Sequence, residues 1–231
     1  VGVLGTTISP YLFFWQASEE VEEEVDQGRV TIISRQGATR GEIHDMRQDV
    51  TIGMLFSNIT MFFILLVSGA TLFANGITDI QTAEQAAMAL APFAGHNAFL
   101  LFTLGIIGTG LLGIPVLAGS ASYALSEALK LKGGLELKWT QARGFYAIIV
   151  LSTVVGLLLN FLGVNPMKML IYTAVINGVV AVPLLVVIMG IANNRRIMGE
   201  YANGWLANTL GSITVAVMAA AAVVLGISFI W

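Results

Sequence analysis

Six stretches of this 231-residue chain are apolar over the length that a bilayer demands: about 1–17, 50–74, 98–126, 145–163, 167–192 and 205–230. A hydrocarbon core about 30 Å thick takes about 20 helical residues to cross. Each stretch therefore predicts a transmembrane helix. The first is short and carries Ser9-Pro10 in its middle, which predicts a broken or truncated helix. The other five hold no Asp, Glu or Arg between their ends, and Lys168 sits at the start of the fifth, where it can snorkel to the interface. Glycines and prolines inside the stretches (Gly105, Gly108, Gly110, Gly113, Pro115, Gly178, Pro183) are ordinary in membrane helices.

The polar segments between the stretches differ in basic charge. The first connection holds Arg29, Arg35, Arg40 and Arg47, and the second, 75–97, holds no Lys or Arg. The third holds Lys130, Lys132, Lys138 and Arg143, the fourth Lys168, and the fifth Arg195 and Arg196. Alternate connections thus carry ten of the eleven basic residues. The positive-inside rule places 18–49, 127–144 and 193–204 in the cytoplasm and Trp231 outside. The first of these loops opens with an acidic run, Glu19, Glu20, Glu22, Glu23, Glu24 and Asp26. It reads either as a solvated helical extension or as an acidic mouth that gathers cations.

Composition agrees with the pattern. Hydrophobic residues make up 56% of the chain and charged residues 11%, against about 25% charged in soluble domains. So few charges cannot furnish a water-facing surface, and lipid must do the solvating. The predicted fold class is an all-α integral membrane protein. With no cysteine, disulfides, thiolate metal sites and Cys nucleophiles are excluded. A net charge of -3 argues against a nucleic-acid partner. The two histidines, His44 and His96, fall in connecting segments, and no stretch contains an Asp, Glu, His or Cys suited to acid–base or nucleophilic catalysis, so an enzyme is not expected. Val1 already lies in an apolar stretch with no Met or basic segment before it, which predicts a piece of a longer chain rather than a signal peptide.

The segment Gly5-Thr6-Thr7-Ile8-Ser9-Pro10-Tyr11 to Gln16 carries the most chemistry. Pro10 has no N–H and obstructs the preceding turn, while Gly5, Thr6, Thr7 and Ser9 tolerate unwinding and can satisfy freed backbone groups. Unpaired carbonyls at membrane depth survive only inside protein or along a polar cavity. Discontinuous helices of this kind build the ion sites of secondary transporters. A plain proline kink in a structural helix fits the same pattern.

Gly5 to Gln16 resembles the sixth helix of the Nramp family, whose usual motif reads Met-Pro-His at the break with a second His one and a half turns later. Here Ser9-Pro10-Tyr11 and Gln16 occupy those places. Asp49 to Asn58 is similar to the start of the seventh helix, Gly113 to Leu129 (with Ala118-Gly119-Ser120-Ala121-Ser122-Tyr123) to the eighth, and Asn193 to Glu200 to the loop after the tenth. The resemblance covers nearly the whole chain, from the sixth helix through the eleventh.

The resemblance implies a ten-helix core of two inverted repeats, LeuT-like, plus an accessory helix, with this chain supplying the second repeat and the extra helix as a single transmembrane domain. It implies a divalent metal ion as transported substrate, no cofactor, the lipid bilayer and the missing N-terminal repeat as partners, and a multi-pass plasma-membrane location. The family's metal-binding carboxylate belongs to the first repeat, so these residues by themselves are expected not to transport. Ser9 is a hard oxygen donor where the family has a soft thioether, which shifts the expected preference from softer metals toward Mg²⁺ or Mn²⁺, as in a related magnesium-transporting branch. Tyr11 and Gln16 replace the two histidines tied to proton movement, and neither titrates near neutral pH, so facilitated transport becomes credible. The tenth-helix Gln of the family aligns with Ala174, and Asn177 one turn on is either a substitute donor or a helix–helix hydrogen bond. Asn58 in the seventh helix carries the same ambiguity, with packing favoured. The expected metal donors are Thr6 (through its carbonyl), Ser9, Tyr11, Gln16 and Asn177. The alternatives are an amino-acid or other organic-solute carrier of the same architecture, which would want a Gly-rich break, and a non-transporting membrane structural subunit.

Overall fold

The computed structural model describes residues 1–228. In chain order the helices are α1 (Gly2–Thr7), α2 (Pro10–Asp26), α3 (Arg40–Thr71), α4 (Ala83–Ala87), α5 (Ala91–Ala94), α6 (Ala98–Ala128), α7 (Arg143–Phe161), α8 (Pro166–Ala192), α9 (Arg195–Met198) and α10 (Trp205–Ser228). Among the described residues every regular element is helical. Among the described residues five helices are long and apolar enough to cross a membrane, α3, α6, α7, α8 and α10, and the first apolar stretch is split into the short α1 and the start of α2. Their large side chains stay exposed, among them Leu111, Leu112 and Phe161, each more than 70% accessible. That is the inverse of a water-soluble core and is what a lipid solvent selects. The chain is an all-α membrane protein.

Two compact units share these helices. One comprises residues 14–167. Its centre is Tyr123 of α6, Ala142 before α7 and Phe145 within α7, with Trp15, Leu137, Tyr146 and Ile149 packed against them. Phe145 is fully buried and meets Tyr123 edge-on at 4.9 Å between ring centroids. Trp15 meets the same tyrosine at 5.8 Å. Gly119 makes room for it, since a Cβ there would lie 2.3 Å from the Trp15 ring. Ser122 donates to the Phe145 carbonyl and links α6 to α7. Edge-on aromatic pairs contribute about 0.5–1.5 kcal/mol beyond burial, so this small knot fixes the α6–α7 pair.

The same unit holds the basic connection. Thr39 Oγ1 accepts from the Glu42 N–H at 3.3 Å while Glu42 accepts from the Thr39 N–H at 2.7 Å, a reciprocal cap that starts α3 ahead of its apolar stretch. Arg29 pairs with Glu24 and Glu42. Between α3 and α6 the segment 75–97 folds into short helices and 3₁₀ turns, and Asn165 donates to the Gln81 carbonyl at 3.2 Å.

The other unit comprises residues 1–13 and the chain from Lys168 onward. Here α1 lies directly on α8, and Ala181 of α8 is fully buried. Met189 of α8 fills the space over Gly211 of α10, and the Asn203 N–H donates to the Ala192 carbonyl at 2.9 Å, closing the turn between them.

Candidate functional site

The first apolar stretch is interrupted between Thr7 and Pro10. Ile8 leaves the helical region at φ −111°, ψ 82°, and its N–H is the last to bond within α1, to the Leu4 carbonyl at 2.9 Å. The ring of Pro10 then begins α2 at the first helical position, where its missing N–H leaves nothing unpaired. In a continuous helix the Gly5 and Thr6 carbonyls would accept from the N–H groups of residues 9 and 10. Residue 10 has no N–H, and the Ser9 hydroxyl takes over, donating to both carbonyls at 3.1 Å. Ser9 and Pro10 are both buried. The break thus gathers a buried hydroxyl and two main-chain oxygens within one turn, all of them hard and neutral donors.

Backbone proximity holds that turn in place. A Cβ on Gly5 would sit 2.0 Å from the Ala174 carbonyl oxygen and 2.6 Å from the Gly178 nitrogen. Gly178 in turn faces the Val1 carbonyl. Small residues at facing positions let two membrane helices meet backbone to backbone. Asn177 stands between these contacts in the α8 sequence, is half-buried, and its amide has no hydrogen-bond partner among the described residues.

The residues singled out from sequence are distributed as follows. Thr6, Ser9, Tyr11 and Asn177 belong to the unit containing α1 and α8. Thr6 is exposed, and its hydroxyl bonds back to the Val3 carbonyl at 2.8 Å, leaving the carbonyl as its contribution to the break. Tyr11 is half-buried in the first turn of α2. Gln16 belongs to the other unit, is exposed, and donates to Glu20 at 2.9 Å. Asn58 of α3 bonds back to its own helix at the Met54 carbonyl, 2.7 Å away. Among the described residues no three His, Cys, Asp or Glu side chains are grouped to hold a metal ion.

Sequence reasoning missed two arrangements. One is the Gly5 approach to Ala174 and Gly178, whose signal was a glycine just ahead of the break and a second small pair on α8. The other is Glu22, taken with its neighbours as one acidic run. Glu22 accepts from the Tyr123 hydroxyl at 2.7 Å and from the Leu135 N–H at 3.1 Å, tying α2 to α6 and to the loop before α7. Beside it, Glu19 has its carboxyl pushed above the ordinary range by burial first and by the Glu22 charge second, against the pull of the Tyr123 hydroxyl.

Comparison with known proteins places these features. The Nramp family, described as natural resistance-associated macrophage protein-like, matches residues 1–228. Among relatives, the protein named divalent metal cation transporter MntH of Aeromonas hydrophila is 24% identical over 219 residues, 94% of this chain and 48% of that protein. Proteins of the same name from Pectobacterium carotovorum and Clostridium acetobutylicum are 25% and 24% identical, covering 93% and 92% of this chain and 47% and 45% of their own lengths. The chain therefore spans about half the length of the relatives it matches. A match that runs from the broken first helix to the end of α10 shows that this chain belongs to the Nramp family.

Proposed function

We propose that this chain contributes the broken-helix half of a carrier that moves divalent metal cations across the plasma membrane, with hard cations, Mg²⁺ or Mn²⁺, preferred over softer ones. The observation that supports it most is the turn at Ser9: a buried hydroxyl beside the Gly5 and Thr6 carbonyls, where proline has removed the regular donor. Carbonyl and hydroxyl oxygens suit Mg²⁺ and Mn²⁺, whereas thioether sulfur selects softer metals. The proposed donors are the Thr6 carbonyl, the Ser9 hydroxyl, Tyr11 and the unengaged amide of Asn177. Gln16 is a further candidate on its place in the sequence.

A dication at membrane depth also needs negative charge. None of the proposed donors carries any, so the carboxylate is assigned to a segment outside this sequence, consistent with relatives about twice as long. In such a carrier the break would serve as the fixed point about which alternating access turns. The reading is tested by uptake of Mg²⁺ and Mn²⁺ into liposomes holding the full-length protein. Ser9→Met should raise the Mn²⁺-to-Mg²⁺ ratio by about tenfold, the equivalent of about 1.4 kcal/mol of altered ligand preference. An unchanged ratio with intact uptake would refute the softness assignment, and no uptake of either metal by the wild type would refute the transport reading.

A further inference from the structure

At the end of α6 a cavity of about 330 Å³ opens between α2 and the loop that follows α6. Phe14, Val21 and Leu131 form apolar walls, and Ser18, Glu22, Ser126 and Glu127 bring polar side chains to it. Ser126 is 2% exposed, and its Oγ is the buried side-chain polar atom without a hydrogen-bond partner among the described residues. Buried hydroxyls nearby are engaged, Ser122 by the Phe145 carbonyl, so an orphan in a cavity wall asks for an explanation. The two carboxylates lack a countercharge as well. The ion pairs among the described residues join Arg29 to Glu24 and Glu42, and the groups donating to Glu22 are neutral.

We infer that this cavity is a binding site for a primary ammonium group on a short hydrocarbon stem. Three acceptors, the Glu22 and Glu127 carboxylates and the Ser126 Oγ, match the three N–H donors of such a group. Phe14 and the buried ring of Tyr123 offer the apolar and aromatic surface that its stem and charge favour. A hydrated Mg²⁺ fits less well: its shell of water hydrogens would face Phe14, Val21 and Leu131 and find nothing to bond. The ammonium has two possible sources, an ethanolamine lipid headgroup or a soluble primary amine. The site lies where the apolar stretch of α6 ends, and Lys130 and Lys132 follow it, charges that suit the phosphate of a lipid headgroup. This assignment is independent of metal transport.

The test uses the full-length protein extracted from vesicles of equal phosphatidylethanolamine and phosphatidylcholine content and read by native mass spectrometry. A second arm measures thermal stability with free ethanolamine. Choline headgroups carry no N–H, so ethanolamine lipid should be retained about tenfold over choline lipid. Loss of one hydrogen bond to the charged group, in Ser126→Ala or Glu127→Gln, should weaken retention about three- to tenfold. Glu127 is exposed and Ser126 makes no bond to lose, so both variants should fold. Retention of the ethanolamine lipid that falls in both variants supports a headgroup site, and stabilisation by free ethanolamine that falls in both supports a soluble amine. Equal retention of the two lipids without stabilisation by ethanolamine, or binding that survives in both variants, overturns the inference.

Discussion

Gly5 of α1 and Ala174 of α8 approach so closely that the first carbon of any side chain on Gly5 would lie 2.0 Å from the Ala174 carbonyl oxygen. The broken helix is therefore seated by main chain against main chain, at a point four residues before Ser9. Rigid backbone contacts of this kind can hold carbonyls at fixed positions in a way that flexible side chains cannot.

Gly5→Ala should push α1 away from α8, because both partners in the clash are backbone. Overpacking costs about 1–3 kcal/mol in general, and the value here belongs at the upper end. Metal uptake by the full-length protein should fall to background while Gly190→Ala, where nothing lies within 4 Å, leaves both uptake and thermal stability as in the wild type. Thermal unfolding in detergent separates the two variants.

Ser9→Ala removes the hydroxyl that satisfies the Gly5 and Thr6 carbonyls. Leaving the buried Gly5 carbonyl without this donor costs about 1–3 kcal/mol, so thermal stability should drop, and Ser9→Thr should recover much of it. Pro10→Ala tests the other side of the break. It returns an N–H to the Thr6 carbonyl, and the expected result is a more stable protein with little uptake. A Pro10→Ala protein that transports normally would show that the interruption is dispensable.

Tyr123→Phe keeps the ring that packs on Phe145 and Trp15 but deletes the hydroxyl that donates to Glu22 at 2.7 Å. One such bond is worth about 1.5–3 kcal/mol when its acceptor is charged. Hydrogen exchange at Leu135 and Glu136, whose N–H groups also reach Glu22, should quicken, while exchange in α10 stays unchanged.

Glu19 makes the packing of α2 on α6 depend on pH. Burial and the neighbouring Glu22 charge raise its carboxyl above the ordinary 4.5, so the folded arrangement favours the protonated form. The stabilisation is complete below that ordinary value and is lost as pH rises through the raised one. Exchange protection in 131–137 should therefore decline as pH climbs from about 4.5 toward neutrality, and Glu19→Gln should flatten the decline. An identical profile in that variant would assign the dependence to another group, Glu136 being the next, since its carboxyl is also raised, by burial and then by Asp26.

Much of this was legible in the sequence because it depends on local chemistry. Twenty-residue apolar stretches must be helices in lipid, where each backbone group has to bond within its own segment. Pro10 removes a helical N–H wherever its helix is placed, and Ser9, one residue away, is a natural donor to the carbonyls left without one. What tertiary structure decided was which distant residues those local features meet. Nothing within Gly5 to Gln16 says that Gly5 rests on Ala174 and Gly178, nor does the acidic run say that Glu22 meets Tyr123, 101 residues later. Asn177 shows the same division. Its amide could have served a helix–helix bond or a ligand, and the fold left it half-buried with no protein partner among the described residues. Helix formation is fixed by neighbours along the chain. Helix contact is fixed by which small residues face one another across it, and that pairing exists only once the helices are packed.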